Sequence, residues 1–66
     1  MKNLELTVRV TEGERYIDTE HCFVSVPSNV SADDFEPLFA ALKQQHPDLY
    51  ERYRDCTFTI DEVLNA

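Results

Sequence analysis

The chain has 66 residues, 42% of them apolar, with 13 acidic against 6 basic side chains and a net charge of −7. Such a length holds one domain, near the lower limit for unaided folding and too small for a deep substrate cavity, and the apolar content is too high for disorder. The negative field argues against direct nucleic-acid binding, which needs Lys and Arg to displace counterions, and against docking on an anionic membrane; basic protein surfaces are the partners it favours.

Leu4, Leu6, Val8 and Val10 alternate with Glu5, Thr7, Arg9 and Thr11. That period predicts a half-buried strand over about residues 3–11. Thr11-Glu12-Gly13-Glu14 follows, with the only glycine, and supplies a tight hairpin turn. The second strand is expected over about residues 15–26, where Cys22, Val24 and Val26 face inward and His21, Phe23 and Ser25 outward. Its first half fits worse. Asp18 and Glu20 fall on the inner side and Ile17 on the outer, which calls for an overhang or a bulge.

Pro27-Ser28-Asn29 is turn chemistry. Ser31 and Asp34 then read as a variant capping box, with Val30 and Phe35 as a hydrophobic staple. A helix over about residues 32–46 follows, its core stripe formed by Phe35, Leu38, Phe39 and Leu42. Pro37 fits that helix only if Asp34 is the true cap, so a tight first turn from Ser31 relaxes into α-helix after Asp34. His46-Pro47 ends the helix, and about residues 48–54 make one further helical turn. Cys56, Phe58 and Ile60 alternate with Thr57 and Thr59, giving a third strand over about residues 56–60. Asp61 to Ala66 reads as a frayed tail from which Val63 and Leu64 could fold back.

The fold class is therefore α+β: a small ββαβ two-layer domain with one helix on one face of a three-stranded sheet. Right-handed crossover logic makes the second and third strands parallel to each other. The order 2-1-3 is preferred because it centres the uniformly apolar first strand. The core would then comprise Leu4, Leu6, Val8, Val10, Cys22, Val24, Val26, Phe35, Leu38, Phe39, Leu42, Phe58 and Ile60. Cys22 and Cys56 would be two strand spacings apart, roughly 9.5 Å, beyond disulfide reach. The start of the chain lacks a signal-peptide apolar region and no run approaches a membrane span, so the chain reads as cytoplasmic with reduced thiols.

Hairpin, helix, strand in this order resembles the opening half of a ubiquitin-like, or β-grasp, domain. A literal β-grasp would run the third strand parallel to the first. The segment from Val30 to Phe39 is similar to a stretch of the small phage inhibitors of uracil-DNA glycosylase, mostly in its helix-start residues.

No motif carries catalysis or metal binding. Asp33, Asp34 and Glu36 complement a helix dipole. His21 and Cys22 are adjacent in a strand and face opposite ways, so they form no dyad. With His46 and Cys56 they match no zinc spacing. No cofactor is expected. Thr7, Arg9, Thr19, His21, Phe23, Thr57 and Thr59 should form an uncovered outer sheet face, with Phe23 as a contact anchor unless Val63 and Leu64 cover it. Leu49, Tyr50, Arg52, Tyr53 and Arg54 form an aromatic–basic cluster whose charge Asp48, Glu51 and Asp55 offset.

The sequence thus points to a small non-enzymatic, protein-binding domain of phage or mobile-element type. It would inhibit or regulate a host protein by occupying a basic surface, such as one that holds nucleic acid, as DNA mimics do. The expected contacts are Glu12, Glu14, Asp18 and Glu20 on the hairpin, with Phe23 and Tyr50 as apolar anchors. The alternatives are a homodimer through the outer sheet face and a ubiquitin-like interaction module, though Leu64-Asn65-Ala66 is no conjugatable Gly-Gly end.

Overall fold

A computed structural model describes residues Met1–Ala66. The elements are β1 (Lys2–Glu12), β2 (Arg15–Val26), α1 (Phe35–Gln45), α2 (Pro47–Arg52) and β3 (Thr57–Asn65). The sheet order is β2-β1-β3, and both pairings are antiparallel. β1 is central because only its apolar residues alternate cleanly enough to be paired on both edges. The β-grasp arrangement is excluded, since β3 runs antiparallel to β1.

Register places the core. Leu4 opposes Val24 and Leu6 opposes Cys22 on one side; Leu6 opposes Val63, Val8 opposes Ile60 and Val10 opposes Phe58 on the other. Leu6, Val8, Val10, Leu38 and Leu42 are sealed from solvent. Each such side chain contributes about 1.5–3 kcal/mol over its exposed state. Glu12 and Arg15 close the hairpin around Gly13-Glu14. Gly13 has φ +61 and no other residue has positive φ, the sign pattern of a type II′ turn with glycine at its first central position.

The awkward first half of β2 is resolved by a bulge. Val10 opposes Asp18 and Thr11 opposes Tyr16, so Ile17 is the extra residue. Asp18 and Glu20 then share the inner face with Cys22. The expected frayed tail is instead strand. β3 continues to Asn65 past a second bulge, where Thr7 opposes Glu62 and Val8 opposes Ile60, leaving Asp61 extra. The bulge keeps Val63 on the inner face after two successive polar residues.

Helix α1 starts later than the capping box suggests. Asp34 is the N-cap, so Pro37 sits in the first turn, where its missing N–H is no loss. Ser31 closes the preceding tight turn: its amide donates to Asp34 Oδ2 at 2.8 Å and its carbonyl accepts from the Asp34 amide at 3.1 Å. The buried stripe is Leu38, Ala41 and Leu42, with Phe39 half-buried, while Val30 and Leu49 complete the core from the flanking segments. Phe35 is no part of it; at the helix start it is 49% exposed. Helix α1 packs mainly against β2 and α2, so the helix side of β3 is only partly covered. No helix is long and apolar enough to cross a membrane.

Candidate functional site

The expected contact residues fall into three places. Glu12 and Glu14 are exposed at the hairpin tip, where Glu12 pairs with Arg15 at 3.4 Å. Asp18, Glu20 and Tyr50 lie on the inner side, under α2. Phe23 lies alone on the outer face.

The inner group forms a clasp across the sheet. Pro47 opens α2 at its first position, which turns Leu49 into the core and Tyr50 and Tyr53 over Phe58. The rings of Tyr50 and Phe58 stand 4.7 Å apart between centroids, and those of Tyr53 and Phe58 6.4 Å in edge-on geometry. Tyr53 then reaches the opposite edge strand. Its hydroxyl lies 2.9 Å from Asp18 Oδ2 and 3.2 Å from Glu20 Oε2. Arg52 adds ion pairs to Glu20 at 3.3 Å and to Asp48 at 3.6 Å.

The electrostatics follow. The Tyr53 hydroxyl, seconded by the Thr19 amide, holds the Asp18 carboxyl below its ordinary range. In return, Asp18 above all, then burial and Glu20, push the Tyr53 phenol up to about 12. Burial raises the Tyr50 phenol as well. Two of the four hairpin acids are thus committed to internal partners, and Tyr50 is a half-buried packing residue. The inward acids exist to meet Tyr53 and Arg52, a cross-sheet relation that no local pattern announces.

The outer face is bare. Phe23 is 60% exposed, and Leu64 on the far edge strand is 47% exposed. Both oppose Glu5 of β1, so the three make one cross-strand row, apolar–acidic–apolar. Leu64 does not cover Phe23; it forms the second end of the same row. The next rows hold His21, Thr7 and Glu62, then Thr19, Arg9 and Thr59, with Arg9 paired to Asp61 at 3.3 Å. Alternation already puts Glu5 on the outer side of β1, but Glu62 and Leu64 find their places beside it only once the Asp61 bulge is known.

Cys22 is buried, Cys56 is half-buried, and both thiols are free. No three His, Cys, Asp or Glu side chains converge in a metal-binding arrangement. Comparisons with family models, with curated proteins and with solved structures found no match for this chain.

Proposed function

We propose that the chain is a non-enzymatic protein-binding domain that regulates or inhibits a larger partner by occupying a basic surface on it. The observation that carries this is the Phe23–Glu5–Leu64 row on an uncovered sheet face. Exposed aromatic and aliphatic side chains serve as anchors once a partner excludes water around them, and a carboxylate between them selects a cationic counterpart. Glu62 beside the row and the tip residues Glu12 and Glu14 extend the same sign of charge. Steric occupation is favoured over charge mimicry by the hairpin, because Asp18 and Glu20 are engaged by Tyr53 and Arg52. A homodimer through this face would bring Glu5 and Glu62 of two copies together, which costs binding energy.

The test is capture from bacterial lysate by the immobilised chain, beside Phe23→Ser and Glu5→Lys variants, at low and moderate salt. A specific protein held by the parent, weakened by salt and lost by both variants supports the reading. Equal capture by all three chains, or a parent dimer that Phe23→Ser converts to monomer, would sink it.

A further inference from the structure

The two edges of the sheet are finished differently. On β2, the Gln45 side chain accepts from the Ser25 amide at 2.9 Å and donates to the Ser25 carbonyl at 2.8 Å. His46 Nε2 lies 2.7 Å from the Phe23 carbonyl. The end of α1 thus occupies the hydrogen-bonding positions that a further strand would use. On β3, the only neighbour is β1, and no side chain bonds to the outward backbone of Thr57–Asn65.

Beside that open edge runs an apolar groove. A cavity of about 310 Å³ is walled by Phe35, Phe39, Phe58 and Ile60. It shares Phe35 and Ile60 with a neighbouring cavity of about 200 Å³ whose lining also includes Asp33, Asp61 and Glu62; Asp61 is paired to Arg9, and Glu62 belongs to the outer-face rows. The groove exists because α1 lies toward β2 and leaves Phe35 half out of the core.

We propose that the edge of β3 at Thr57–Ile60 receives an extended peptide strand from a basic partner. One apolar side chain of the strand seats against Phe35, Phe39 and Phe58, and a neighbouring Lys or Arg faces Asp33 at the end of the groove. Main-chain bonds supply affinity in this mode, and alternate side chains supply specificity. Charge decides the occupant. A second copy of this chain carries a net charge of −7 and is repelled, whereas a cationic strand is attracted. The Asp61 bulge interrupts the edge and confines regular pairing to Thr57–Ile60. The groove lies on the helix side of the sheet, whereas the Phe23–Glu5–Leu64 row lies on the other face.

The probe is a short fluorescein-labelled peptide alternating Lys with Val and a central Phe, titrated into the full chain by anisotropy, with amide chemical shifts mapped in parallel. Saturable binding with a Kd below about 1 mM is expected, with shifts centred on Thr57–Ile60 and Phe35. N-methylating the peptide amides on one edge should weaken it about tenfold or more, which tests strand pairing without altering the protein. Phe35→Ser, an exposed position, should weaken it similarly, and Phe23→Ser should leave it unchanged, so this proposal and the outer-face reading fail separately. No saturation, indifference to N-methylation, shifts on the outer face, or a parent dimer paired through the β3 edge would each overturn the proposal.

Discussion

Gln45 and Ser25 are joined by a two-point clamp, a side-chain amide matched to both backbone groups of one edge residue at 2.9 and 2.8 Å. The clamp ties the last turn of α1 to β2 and closes that edge of the sheet. Gln45→Ala should cost about 1 kcal/mol, since water re-solvates much of what is freed. It should also make the chain associate at high concentration through the opened edge. Chemical unfolding and light scattering check the two effects.

The Tyr53 clasp makes stability depend on pH at both extremes. Asp18 has a lowered folded pKa, so its contribution is full above the ordinary carboxylate range and is lost as pH falls through it. Tyr53 has a folded pKa of about 12, above its usual 10, so its contribution is full below pH 10 and is lost as pH rises toward 12. Tyr53→Phe keeps the ring on Phe58, removes the alkaline dependence and weakens the acid one, since the Thr19 amide still holds Asp18. The variant should be less stable at neutral pH and lose less stability on going to either extreme. Thermal melts across pH, with the phenolate absorbance of parent minus variant, measure this.

Gly13 is required by its backbone and not by crowding. A Cβ there would meet nothing within 4 Å, but φ is +61. Gly13→Ala should therefore destabilise the hairpin by about 1 kcal/mol, and Gly13→Asn by less, because Asn tolerates the left-handed region. Urea unfolding resolves the difference.

Leu6 is sealed between Cys22, Val63 and the helix layer. Leu6→Ala should cost about 2–5 kcal/mol. A domain this small has a total near the low end of about 5–15 kcal/mol, so the variant should keep at most about 3 kcal/mol and melt at a much lower temperature by circular dichroism.

The two thiols should separate by accessibility. Burial raises the Cys22 thiol within the core, while Cys56 is half-buried just before β3. Iodoacetamide should modify Cys56 first and reach Cys22 only on unfolding, which peptide mass mapping reads directly. Equal rates would contradict the packing of Cys22.

Local patterning was enough for much of this molecule. Alternation placed the inner faces of β1, of the later half of β2 and of the start of β3, and the apolar uniformity of Leu4 to Val10 put β1 in the centre of the sheet. Pro37 by itself moved the helix cap to Asp34, because a proline is tolerated only where no amide is needed. Other features depend on neighbours distant in sequence. A bulge shifts every later side chain to the other face, so the tail became readable as strand only through Asp61 and its pairing to β1. Asp18 and Glu20 point inward because Tyr53, more than thirty residues later, brings a hydroxyl to them. Phe35 carries the helical period of a core residue, yet the tilt of α1 toward β2 leaves it over a groove. Periodicity is a property of each segment alone, whereas which face is covered, and which edge stays open, depends on how the segments stack.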